Sequence, residues 1–370
     1  MYTHLRSAAL AVAAVTLAAT LAACGDAKEA GEGKEPAPSG KKNGSLTIGL
    51  LLPENQTARY ENFDQPLIEK KIKELCSECK VLYANAKQEA STQEQQVDTM
   101  ITKKVDALIL DAVDFKSIAN SVRKADKAGI PVIAYDRLAR GPIKGYTSFD
   151  NEQVGRVQGE ALLKALGDRA KQGQIVMMNG DKGDPNAADF KKGAHSALDG
   201  KVTIGKEYDT VGWKPEEANR NAKGAITSLG KENIVGFYSA NDGMAGGIVT
   251  AIRAAKFSEM PPVTGQDAEL AGVQRIISGE QYMSVYKPYV PEADAAAKMA
   301  VAAARGEDVS TVAKDRVDSA TTKDIPSVVI APVALTRTNI LDTVVKDGLY
   351  TLDEICTPKY RAACEELGLK

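Results

Sequence analysis

Histidine is nearly missing from this chain of 370 residues: there are two, His4 and His195. His195 falls on a predicted helix, and no G-x-S-x-G stretch occurs, so nucleophilic catalysis with a histidine base finds little support. Net charge is nearly absent too, with 47 Lys plus Arg against 49 Asp plus Glu. No basic stripe with interleaved aromatics appears, which argues against a nucleic-acid partner. No apolar run of membrane length follows Gly44. Tryptophan occurs once, at Trp213, and cysteine five times.

The start of the chain is better supplied. Arg6 precedes an apolar, Ala-rich run from Ala8 to Ala23 that ends Leu21-Ala22-Ala23-Cys24. A short charged start, a short apolar run and small residues describe an export signal. The run is short for a spanning helix, which wants about 20 apolar residues. The Leu-Ala-Ala-Cys ending resembles a bacterial lipobox, which implies acylation of Cys24; an ordinary signal peptide cut nearby is the alternative. Residues 24–44 have no large apolar side chain and read as a flexible tether, with a second acyl chain needed for stable attachment. Outside the cytoplasm the four remaining cysteines favour disulfides. Of three possible connectivities, neighbour pairing, Cys76–Cys79 and Cys356–Cys364, is the expected one. A redox C-x-x-C wants a helix start, whereas Cys76 follows the helical "LIEKKIKEL"; a four-Cys zinc site would need a second pair of matching spacing.

From Ser45 onward strands and helices alternate. "LTIGLLL", "KVLYANA", "DALILDAV" and "PVIAYD" read as strands, separated by helices over "QPLIEKKIKEL", "TQEQQVDTMITKK" and "FKSIANSVRKADKAG". After "GYTSFDN" the rhythm resumes. Helices are predicted over 153–166, 186–198, 215–229, 243–255 and 269–278, between strands "QIVMMNG", "TIGKEYDT", "NIVGFYSAND", "PPVTGQDA" and "QYMSVYKP". A helix over 292–305 and a strand near 327–330 follow. Such alternation predicts parallel sheets covered by helices on both faces, and two successive sets predict two lobes, since chains beyond about 250–300 residues usually split. The expected division is 1–23 signal, 24–44 tether, 45–150 plus about 285–325 lobe 1, 151–284 plus about 326–355 lobe 2, and 356–370 a C-terminal disulfide segment.

Several strands are apolar along their length and polar where they end. "VIAYDR" ends in Asp136 and Arg137, "FYSAND" in Asn241 and Asp242, "VTGQD" in Gln266 and Asp267, "SVYKP" in Lys287, and "VMMNGDKGDPN" in Asp181, Asp184 and Asn186. In open α/β sheets, ligands bind beyond the carboxyl ends of the strands. For any single strand, a polar turn capping the next helix is an equal explanation, and Asp242 before Gly243 suits such a cap; Asp136 suits an ion partner for Arg137. The recurrence across strands favours a shared cleft. Carboxylates, amides and planar guanidinium groups of mixed charge match vicinal hydroxyls, and Trp213 in the loop "TVGWKPEEA", with Tyr60 after the first strand, offers aromatic faces for a sugar ring. "GKVTIGKE" nearly matches a phosphate-binding loop but ends in Glu207, which would repel phosphate.

The motifs "YDR", "SFDN", Val211-Gly212-Trp213, "SAND", "GQDAELAGVQRI" and "VYKP" together resemble the D-xylose-binding proteins of bacterial ABC importers and a related subgroup binding several aldoses. The likeness runs in order from about Leu46 to Tyr350. It implies the periplasmic-binding-protein type I fold: two doubly wound parallel-sheet α/β lobes joined by three hinge crossings. It implies sugar contacts at Arg59, Tyr60, Arg137, Asp184, Asn186, Trp213, Asn241, Asp267 and Lys287, with Asp136 secondary. Tyr60 stands where the family often has Trp, and Pro185 where an amide is expected. The implied function is capture of a neutral aldose, most simply D-xylose, by a monomer anchored on the outer face of the cell membrane, and delivery to an ABC permease, without cofactor, metal or nucleic acid. A signalling lipoprotein would use the same site. A secreted glycosidase would need Asp184 and Asp267 as separated acid and base, but the cations among them are expected to hold both ionised.

Overall fold

Runs of Val, Ile, Leu and Ala with no polar face can be buried only where helices cover both sides of a sheet, and this requirement shapes both halves of the molecule. The computed structural model describes residues 44–369; the export signal, Cys24 and nearly all of the expected tether lie outside the described residues. The first half contains β1 (Thr47–Leu52), α1 (Gln65–Leu75), β2 (Lys80–Asn85), α2 (Ala90–Thr102), β3 (Ala107–Leu110), α3 (Ala119–Lys127), β4 (Val132–Tyr135) and β5 (Gly145–Phe149). Its strands pair in parallel in the order β5-β4-β3-β1-β2. Alternate residues serve opposite faces: Leu50, Ile109 and Ile133 pack toward Ile68 and Ile72 of α1. Leu51, Leu108 and Ala134 pack toward Val97 of α2 and Val122 of α3.

The second half contains α4 (Asn151–Leu166), β6 (Gln174–Asn179), α5 (Pro185–Leu198), β7 (Thr203–Asp209), α6 (Pro215–Leu229), β8 (Ile234–Ser239), α7 (Asp242–Ala254), α8 (Leu270–Ser278) and β9 (Ser284–Tyr286). Here the parallel order is β7-β6-β8. The strand expected over "PPVTGQDA" is only a bridge between Phe237 and Val263. Its main chain still extends the ladder, since Pro262 O, Val263 O and Gly265 O accept from Phe237, Tyr282 and Val285. Two prolines without N–H groups open the segment, which limits regular pairing.

The chain crosses between halves three times. It crosses first after Phe149, and again between β9 and α9 (Tyr289–Ala304), which returns to cover the first sheet. β10 (Asp315–Val317) and β11 (Ile325–Ile330) then join that sheet, β11 parallel to β5. The third crossing leads to β12 (Val333–Leu335), which pairs antiparallel with β9. The strand near 327–330, expected with lobe 2 from about 326, therefore belongs to the first sheet. Its docking edge is β5, whose half-polar "GYTSF" stands in no strand or helix assigned from the sequence. Cys76 joins Cys79 in the turn after α1, with Cα atoms 5.3 Å apart. Cys356 joins Cys364 across 5.9 Å, between α10 (Leu352–Ile355) and α11 (Arg361–Glu366). Ile355 and Cys364 pack on Val273, Ile276 and Ile277 of α8.

Candidate functional site

The carboxyl ends of strands from the two sheets face one another, and a narrow cavity lies between them. The first half contributes Thr57, Arg59, Tyr60, Asp136 and Arg137. The second contributes Asp184, Asn186, Phe190, Trp213, Asn241, Gln266 and Asp267, and Lys287 stands at the second crossing. Every residue expected from the sequence to meet a ligand therefore lines this cavity, Asp136 included.

On the first-half side the two guanidinium groups are held tightly. Arg59 Nε and Nη2 donate to Asp64 at 2.8 and 3.1 Å, and Nη2 also donates to Glu292 at 2.7 Å. Tyr135 Oη donates to the same Asp64 at 2.5 Å, and the Tyr289 ring lies 4.6 Å from the guanidinium carbon. Arg59 Nη1 accordingly has no hydrogen-bond partner among the described residues. Its nearest carboxylate oxygen is Asp136 Oδ1 at 3.5 Å. Asp136 is thus a neighbour of Arg59 and not, as the sequence suggested, the ion partner of Arg137. Its positive φ of 53° turns the side chain away from its chain neighbour. Burial opposes ionisation of Asp136, but Arg59, Lys287 and Arg137 outweigh it and hold the carboxyl below its usual range.

Arg137 donates to Ala112 O at 3.2 Å and to Tyr60 Oη at 3.1 Å. Its Nε lies 2.9 Å from Asp184 Oδ2, across the interface between halves. Asn186 Nδ2 crosses the same interface to Asp136 O at 3.1 Å. Asp184 also caps α5, accepting from Asn186 N at 2.9 Å. Burial pushes its pKa up to about 6 against the pull of Arg137, which still leaves the carboxyl chiefly ionised at neutral pH.

On the second-half side, polar groups are divided between structure and cavity. Asn241 caps α7, its Oδ1 accepting from Met244 N at 2.9 Å, which leaves the amide nitrogen for the cavity. Asp242 does not cap. It is buried under Gln281 Nε2 (2.6 Å), Ser284 Oγ (2.8 Å) and Glu269 N (2.9 Å), because Gly265 and Gly272 admit it where any Cβ would collide. Asp267 pairs with Lys287 at 2.9 Å. Trp213 is buried, packed over Gly180 and edge-on to Phe190 at 6.3 Å. Trp213 and Asp267 have φ of 56° and 85°, left-handed values that are uncommon for large side chains and cluster at functional sites.

Phe190 and Thr57 line the cavity without having been singled out, and Gln266, named only as a strand end, lines it too. Phe190 lies one helical turn after Asn186 and so shares its face, a signal that was available. Gln266 is next to Asp267; its Oε1 is buried without a partner among the described residues, as is Trp213 Nε1. His195 is apart from the cavity, between Asp199 (2.8 Å) and Glu207 (3.2 Å). Among the described residues no cluster of three or more His, Cys, Asp or Glu suits a metal ion.

Comparison with known proteins agrees with this geometry. The family model described as periplasmic binding protein domain matches residues 48–308. The D-xylose-binding periplasmic protein of Escherichia coli (strain K12) is 34% identical over 316 residues, covering 84% of this chain and 92% of that protein. The multiple sugar-binding periplasmic receptor ChvE of Rhizobium radiobacter is 29% identical over 329 residues, with 84% and 92% covered. A crystal structure of an ABC transporter solute binding protein from Clostridium phytofermentans, with bound β-D-glucose, superposes with a TM-score of 0.78 at 28% identity, over 84% of this chain and 99% of that one.

Proposed function

This chain belongs to the periplasmic binding protein family, and from that premise we propose that it captures a neutral aldose, D-xylose first among them, and delivers it to an ABC importer. The observation that carries the reading is the convergence of Arg59, Arg137 and Lys287 with Asp136, Asp184 and Asp267 on one cavity between two hinged halves. Three cations against three carboxylates suit a neutral ligand. Arg59 Nη1, Asn241 Nδ2 and the Asp267 carboxylate supply donors and acceptors to hydroxyls, which are both at once. Trp213 and Phe190 offer apolar faces to ring C–H groups. The protein is a solute-binding protein and not an enzyme.

The D-xylose-binding relative supports xylose first among the aldoses. Groups from both halves make more contacts when the halves meet around a sugar, and that differential affinity shifts the hinge toward closure. Among the described residues no helix is long and apolar enough to cross a membrane; the Leu-Ala-Ala-Cys segment supports attachment to the outer face of the membrane through acylated Cys24. The captured sugar then passes to the permease from a monomeric binding protein.

Titration calorimetry against a panel of pentoses and hexoses tests the reading. Saturable one-to-one binding is expected, tightest for D-xylose. Absence of heat with every sugar would overturn it.

A further inference from the structure

Arg137 has a carboxylate on either side of it, one from each half. Asp184 Oδ2, in the second half, lies 2.9 Å from Nε, and Asp111 Oδ1, in the first, lies 3.5 Å from the same nitrogen. The other guanidinium nitrogens are tied to the first half through Ala112 O and Tyr60 Oη. Asp184 moves with the second half; Asp111 cannot follow it. Asp111 N donates to Leu51 O at 2.9 Å, and its carbonyl accepts from Gln93 Nε2 at 2.7 Å. Gln93 is itself fixed by accepting from Val113 N at 2.8 Å.

Asp111 is fully buried, and neither its carboxylate oxygens nor Arg137 Nε has a hydrogen-bond partner among the described residues, so the contacts of Nε with Asp184 and Asp111 are ion pairs only. A buried acid without hydrogen bonds is costly. It does not line the cavity, so it is not a sugar contact.

We propose that Asp111 is a positioning residue that holds Arg137 when the halves stand apart, and yields it to Asp184 when they close. The inference rests on the capture reading above. Closure draws Arg137 Nε toward Asp184 and leaves Asp111 only the longer contact at 3.5 Å. Asp111 thereby favours the open form, and lowers sugar affinity in proportion to the fraction of closed-competent protein.

The test is a pair of measurements on the full chain carrying one fluorescent label in each half: the inter-label distance without sugar, and calorimetry with D-xylose. Asp111→Asn replaces the ionisable carboxyl at nearly constant shape. It is expected to shorten the distance without sugar and to tighten binding about tenfold. Asp184→Asn is expected to move both readouts the opposite way. A purely structural Asp111 would alter unfolding but not distance, and an Asp111→Asn protein with unchanged or longer distance and unchanged or weaker binding overturns the proposal. Should Asp111→Asn not fold, a crystal structure of the open wild-type chain decides: Arg137 Nε within hydrogen-bond reach of Asp111 supports it, and Nε turned away refutes it. A wild-type chain whose distance does not respond to any sugar would instead defeat the capture reading itself.

Discussion

On the first-half rim of the cavity, Arg59 is gripped by Asp64 and Glu292, and Arg137 by Tyr60, Ala112 and two flanking carboxylates. On the second-half rim, Trp213 Nε1 and Gln266 Oε1 are buried with no partner among the described residues, and Asn241 gives only its oxygen to the fold. The first rim is built chiefly of ion pairs, with Arg59 Nη1 left open; the second adds to its Asp267–Lys287 pair amides and rings with valences to fill. The difference teaches where substitutions will register. On the first rim each charge supports another buried charge, so loss of one harms folding. On the second, loss is felt chiefly in binding.

Arg59→Ala should break the first rim most severely. It strands Asp64 and Glu292, both fully buried, and is expected to lower unfolding free energy by about 3–5 kcal/mol. Urea denaturation measures this, and a loss below about 1 kcal/mol would mean the ion pairs are not the framework described. Asp267→Ala probes the second rim. It leaves Lys287 buried without its carboxylate, and calorimetry with D-xylose should show affinity weakened by about 2–5 kcal/mol, with a smaller change in stability. Comparable damage to folding and binding from both variants would erase the distinction between the rims.

Much of this site was legible because polar residues directly follow apolar runs: the DR of "VIAYDR", the ND of "FYSAND" and the QD of "VTGQD" are visible without coordinates. The fold was legible where helices and buried strands alternate strictly. β5 was not, since "GYTSF" stands outside the strands and helices assigned from the sequence although Thr147 and Ser148 are buried. Missing β5 also misplaced β11. The partner of Asp136 depends on its backbone φ of 53°, and the burial of Asp242 depends on glycines that approach from Gly265 and Gly272; neither dependence is local in sequence. Asp111 was visible in "DALILDAV" but unremarkable there, because its significance comes from Arg137 on the neighbouring strand end.

The second half also carries a pH dependence of its own. Burial, aided by Asp267 and opposed by Arg275, Gln281 and Ser284, pushes Asp242 up to about 7 from an ordinary 3.8. Glu269 beside it is pushed up to about 8, by burial first and then by Asp242 and Asp267, with Arg275 pulling the other way. A native carboxyl with a raised pKa binds its proton more readily than the unfolded chain does. Its contribution to stability therefore grows as pH falls from about 7 toward 3.8 and is lost as pH rises. The slope from one such group is at most about 1.4 kcal/mol per pH unit. Denaturation curves across that window should flatten in Asp242→Asn, and an unchanged slope would remove Asp242 as the source. The smallest effect is expected from Trp213→Phe, which keeps a ring over Gly180 but reduces its face. Sugar affinity should weaken by about 1 kcal/mol with the fold intact, whereas no change would place the indole outside the contact surface.

The most direct test of the account is a crystal structure with D-xylose bound. One pyranose should lie in the cavity, touching Arg137 from the first half and Asp267 from the second, with the Trp213 ring against its face. A sugar held by one half alone, or seated outside this cavity, would contradict the account.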